Sequence, residues 1–108
     1  MHELALMESM VEEVEQRVEG RVAVVRLELG TLAGVARDAL RFAFDVCTEK
    51  TVLEGATLEI VSIPARALCR GCGTESPLEA YATPCACGCF DRDLVCGDEI
   101  RVREVEVL

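Results

Sequence analysis

With 108 residues, the chain has the length of one ordinary domain, or of a small domain carrying a smaller module. A composition of 51% hydrophobic and 29% charged residues is enough to build a core and argues against disorder. The net charge of −9 repels phosphate backbones, so no nucleic acid is expected as a partner; no run of about 18 apolar residues occurs, so no membrane insertion is expected. The first residues lack the basic and apolar regions of a secretory signal, and a cytoplasmic location is expected.

Residues 3–19 predict a helix. Leu4, Met7, Val11, Val14 and Val18 recur at helical spacing, Glu8, Glu12, Glu15 and Glu19 fill the other face, and Gly20 is the stop. From Arg21 to Leu29 the alternation predicts a strand, with Ala23, Val25, Leu27 and Leu29 on one face. The loop 30–34 leads to a second helix over 36–49. There Leu40, Ala43, Phe44 and Cys47 share a face that Phe42 and Val46 widen. A second strand over 56–63 ends at Pro64. A last one, 98–107, changes register near Arg103-Glu104, which predicts a bulge. This final strand has too little around it to stand alone and belongs in the same sheet. The expected fold is α/β: two helices packed on a three-stranded mixed sheet, with an inserted zinc-ribbon-like module. The α/β domain takes residues 1–64 plus 97–108, and the module takes 65–96.

Six of the seven cysteines fall between Cys69 and Cys96. Cys69 and Cys72 form one close pair, Cys85 and Cys87 a second, so four thiolates can surround one tetrahedral Zn²⁺. The stretch between them is rich in Gly and Pro and poor in large apolar residues, so a metal has to supply folding free energy. Gly71, Gly73 and Gly88 permit the tight turns. Three sulfurs (Cys85, Cys87, Cys89) compete for the second pair's two places. Gly88 directly after Cys87 favours Cys85 and Cys87, leaving Cys89 outside or in support. An iron–sulfur cluster or a redox dithiol would accept the same spacing. A four-sulfur sphere is closed, so zinc there is structural and not hydrolytic. Cys47 and Cys96 read as small buried hydrophobes.

The single histidine is His2. The Met1 amine, the His2 amide nitrogen and the His2 imidazole can chelate one ion in a plane, and planar nitrogen donors favour Ni²⁺ or Cu²⁺ over Zn²⁺. Glu3 then opens a helix whose first turn favours negative charge.

The opening Met1-His2-Glu3-Leu4-Ala5-Leu6 resembles the start of the HypA/HybF family of nickel metallochaperones. The stretch 29–35, the segment 38–45 and the ending Gly97-Asp98-Glu99-Ile100-Arg101-Val102-Arg103-Glu104 are similar to that family's loop, second helix and final strand. The likeness covers essentially the whole chain. It implies nickel carried at His2, with Glu3 as the acidic neighbour, and zinc held by Cys69, Cys72, Cys85 and Cys87. It also implies delivery of nickel to the large subunit of [NiFe]-hydrogenase in concert with the nickel GTPase HypB, and in some organisms service to urease. Many members have Cys-x-x-Cys as the second pair. This chain has one residue fewer there, and Cys89 where a serine is common.

Two other classes compete with a nickel carrier. A zinc-ribbon adaptor would bind a protein partner without nickel. A metal-dependent enzyme would need an open coordination site, a catalytic triad or a phosphate loop, and none of these is in the sequence, so no enzymatic activity is expected. The acidic helix face reads as solvated surface, with docking toward a basic patch as its second reading. An edge strand leaves room for a homodimer by β-augmentation.

Overall fold

A computed structural model describes residues 3–108; Met1 and the proposed nickel ligand His2 lie outside the described residues. The elements run α1 (Glu3–Arg17), β1 (Val22–Gly30), α2 (Arg37–Cys47), β2 (Thr57–Ile63), β3 (Arg66–Cys69), β4 (Glu75–Pro77), β5 (Arg92–Cys96) and β6 (Ile100–Val107). Two compact units divide the chain. One holds residues up to Leu27, Val35–Val61 and Arg101–Leu108; the other holds Glu28–Gly34 and Ser62–Ile100.

In the first unit α1 buries Met7, Met10, Val11 and Val14, the 3-and-4 stripe expected of an amphipathic helix. It ends at Arg17, two residues short of expectation, and Gly20 takes a left-handed φ of 85° that a side chain would resist. Helix α2 buries Leu40, Ala43 and Phe44. Thr48 closes it, donating from both its N–H and its hydroxyl to the Phe44 carbonyl at 3.0 and 2.8 Å. Phe42 and Val46, expected to widen this face, are instead 72% and 43% exposed. Each is two residues from Phe44, about 200° around the helix, so the core side of α2 cannot include them.

Strand order in the larger sheet is β2-β1-β6. Arg26 pairs with Glu59 and the Thr31 N–H donates to Ile63, so β1 and β2 advance together and are parallel, joined through α2. The Leu108 N–H donates to Arg21 while the Gly30 N–H donates to Glu99, so β6 runs antiparallel to β1. The sheet is mixed, as expected. Along β6, Arg103 and Glu104 are both exposed between half-buried Val102 and Val105, which places the change of register where the sequence put it.

The second unit contains a sheet of order β4-β3-β5, antiparallel throughout, that periodicity did not reveal. Strands of four, three and five residues are too short for alternation to register. Its buried cluster is small: Ala65, Ala67 and Leu78, with Leu32 and Leu94 packed against it. Backbones approach closely here. A side chain on Gly30 would collide with the Gly97 carbonyl, and one on Gly97, at φ 113°, would collide with Ala65. Cys47 and Cys96 are half-buried rather than sealed in the core, their thiols turned toward the carbonyls of Leu4 and Pro64.

Candidate metal centre

The second unit brings four sulfurs to one point. The Sγ atoms of Cys69, Cys72, Cys85 and Cys87 all lie within 4.8 Å of one another, and all seven cysteines are free. Cys69 ends β3, and the chain reverses at once. The Gly73 N–H donates to the Cys69 carbonyl at 2.9 Å, and the Cys69 N–H donates to the Thr74 carbonyl at 3.0 Å. Gly73 sits at φ 75°, the left-handed position this turn requires. The Cys72 N–H points at the Cys69 sulfur, 3.4 Å away. The second turn repeats the device: the Gly88 N–H donates to the Cys85 carbonyl at 2.8 Å with Gly88 at φ 93°.

Separations within the cluster test its fit to an ion. Cys69 and Cys87 sulfurs are 3.7 Å apart, Cys72 and Cys85 sulfurs 3.6 Å. With zinc–sulfur bonds of about 2.3 Å, the edge of a regular tetrahedron is about 3.8 Å. The spacing therefore suits one tetrahedral ion, and an all-sulfur donor set suits Zn²⁺. Cys69 and Cys85 are buried, while Cys72 and Cys87 face solvent.

Electrostatics around the thiols divide them. The Thr74 hydroxyl and then its N–H donate to the Cys72 sulfur and, with Cys85 and Cys69 alongside, bring its pKa down to about 6. Cys69 is also held below the ordinary thiol value, chiefly by the Cys72 N–H. The Cys89 N–H pulls Cys87 downward, but the crowding sulfurs of Cys69 and Cys85 and the loss of solvent outweigh it, and the thiol is pushed up to about 12. Four crowded thiols cannot all ionise unaided, and a divalent cation removes that conflict. Thr74 was not singled out from the sequence; its only signal was a hydroxyl two residues after Cys72.

Cys89 stands outside the cluster. Its carbonyl accepts from the Cys85 N–H at 2.9 Å, its thiol turns toward the Asp91 carbonyl, and its side chain packs over Gly71. Glu3 is the first residue of α1, half-buried. Among the described residues no helix is long and apolar enough to cross a membrane.

Residues 1–107 match the family described as hydrogenase/urease nickel incorporation, metallochaperone, hypA. The chain is 47% identical over 109 residues to the hydrogenase maturation factor HypA of Geobacter metallireducens, with 99% of each chain covered. It is 44% identical over 108 residues to the hydrogenase maturation factor HypA of Trichormus variabilis, covering 99% of this chain and 96% of the relative. The fold is similar to the solution structure of the Ni metallochaperone HypA from Helicobacter pylori, with a TM-score of 0.69 at 20% identity over 100% of this chain and 98% of that one.

Proposed function

This chain belongs to the HypA family of nickel-incorporation metallochaperones, and from that premise we propose that it binds Ni(II) at its amino terminus and delivers it to [NiFe]-hydrogenase during maturation. His2 and Glu3 hold the nickel as cargo, with the Met1 amine completing the chelate. The recipient is the hydrogenase large subunit, the nickel GTPase HypB is the working partner, and urease is a second recipient where an organism makes it. The observation that carries this reading is the family match across residues 1–107, which includes the Met1-His2-Glu3 opening. The protein works in the cytoplasm, as a carrier and not an enzyme, and its edge strand admits a homodimer. Residues 1–64 plus 97–108 serve as the nickel domain and 65–96 as the zinc module.

The two metals have opposite tasks. Cys69, Cys72, Cys85 and Cys87 would hold Zn(II), whose chemistry there is structural: it ties two turns of a weakly cored unit together. A carrier, by contrast, has to release its ion. A site at a chain end suits release, because few contacts must break, and an affinity near micromolar (about 8 kcal/mol) would serve. Protonation of the imidazole and the terminal amine competes with nickel, so binding weakens as pH falls below about 6.5. Isothermal titration checks both points. The wild type should bind Ni(II), more weakly at about pH 5.5 than at neutral pH, and His2→Ala should lose most of that binding while keeping its zinc. A wild type that takes up zinc but no nickel, with His2→Ala changing neither, would favour the other reading, a zinc-ribbon adaptor that recognises a protein without carrying nickel.

A further inference from the structure

Helices α1 and α2 of the first unit enclose an open groove of about 370 Å³. Its floor is apolar. Val11 is buried, Cys47 half-buried, and Leu4 and Val46 are exposed. Phe42 lies one turn before Val46 on the same side of α2 and is the more exposed of the two, so the apolar strip continues beyond the groove. Isolated apolar residues on a surface are ordinary, but three exposed ones joined to buried neighbours form a patch.

The walls carry one sign of charge. Glu8, Glu12 and Glu15 line the α1 side, and neither Lys nor Arg is among the described lining residues. On α2, Asp45 neighbours Val46, and Glu49 follows in the turn just beyond the helix; both are exposed. Glu8 and Cys47 both line the groove, and burial, then the Glu8 carboxylate, raises the Cys47 thiol pKa.

We propose that this groove docks a basic amphipathic helix belonging to a different protein. Apolar side chains at i, i+3 or i+4 and i+7 of that helix seat over Leu4, Val11 and Val46, and Lys or Arg beside them meet Glu8, Glu12 and Glu15. Charge selects this occupant. Phosphate or anionic lipid would be repelled, and a second copy meeting the first by a twofold axis would set one row of glutamates against another in a chain of net charge −9. From Leu4 to Glu15, α1 offers about 16 Å of length, which matches about three turns of a partner helix. The inference is independent of the nickel reading, because every residue it uses lies within 4–51 of the first unit and none is a nickel or zinc ligand.

The test uses the full chain, loaded with zinc and free of nickel, ¹⁵N-labelled and titrated with a synthetic Leu/Lys amphipathic helix of about 15 residues. A Leu/Glu peptide of the same pattern is the control. The expected result is saturable perturbation of amides in 4–15 and 42–51 by the Leu/Lys peptide and none by its acidic counterpart. Val46→Asn and Phe42→Ser, both at exposed positions, should each weaken binding about tenfold, as should Glu8→Lys combined with Glu12→Lys. Three outcomes overturn the proposal: perturbations located elsewhere, binding that responds to the charge changes but not to Val46→Asn or Phe42→Ser, and a concentration-dependent dimer that Val46→Asn abolishes without peptide. The last would make a second copy the occupant.

Discussion

The two units of this chain are held together by different physics. In the first, two amphipathic helices and three long strands bury large side chains, Met7, Leu27, Leu40, Phe44 and Leu53 among them, so apolar burial carries the stability. In the second, the buried cluster is two alanines and a leucine, and the ordering elements are polar: two cysteine turns and the Arg92 guanidinium. That guanidinium donates to the Ser76 hydroxyl at 2.7 Å and to the carbonyls of Thr83 and Pro77 at 2.9 and 3.0 Å. A unit with so little apolar surface needs a staple. The contrast teaches that one short chain can pair a unit cored by large apolar side chains with another whose small core leaves a four-thiol cluster to serve as a staple if it holds a metal.

Breaking the staple should give the largest effect. Cys69→Ser removes one of the two buried sulfurs, so zinc content should fall toward zero and amides of residues 66–96 should lose protection from hydrogen exchange, while α1 and α2 keep theirs. Equal loss of protection in both units would erase the distinction drawn between them. Gly97→Ala comes next. It leaves every cysteine in place but drives a methyl group into Ala65 at a left-handed φ, and should cost about 4 kcal/mol, read as a shift in denaturation midpoint.

A pair of substitutions on one helix sharpens the account of the first unit. Phe44→Ala empties a fully buried site and should cost about 3–5 kcal/mol. Phe42→Ala, two residues away on the outside, should stay within about 0.5 kcal/mol of the parent. Comparable losses at both positions would mean that the outer face of α2 is packed after all.

These particulars also mark where the sequence was readable. Long periodic segments declared themselves: α1, β1, α2, β2 and β6 follow the stripe at Met7, Val11 and Val14, the alternation at Val25, Leu27 and Leu29, and the register change at Arg103-Glu104. The place of β6 in the same sheet followed from a final strand with too little around it to stand alone, and the sheet is mixed, as expected. The gathering of Cys69, Cys72, Cys85 and Cys87 was legible in their spacing, and the glycine after Cys87 separated that residue from Cys89. Strands β3, β4 and β5 were not legible, because what aligns them is long-range: backbone pairing between Ala67 and Ser76 and between Ala67 and Leu94, with Arg92 reaching across. Phe42 and Val46 were misplaced because hydrophobicity was counted without asking whether the helix had a second partner to cover them. The Thr74 contribution at Cys72 depends on a turn whose geometry composition does not reveal.

The central claim is that a transferable nickel ion and a fixed zinc ion depend on separate chemistry, a terminal amine with an imidazole for one and four thiolates for the other. Metal analysis of two preparations tests it most directly: the chain beginning at Met1 with a free amine, and the same chain with a few residues added in front. Zinc should remain at one equivalent in both, and nickel should bind the first and not the second, because the extension removes the terminal amine while leaving every cysteine untouched. Nickel bound equally by both preparations, or by neither, would contradict it.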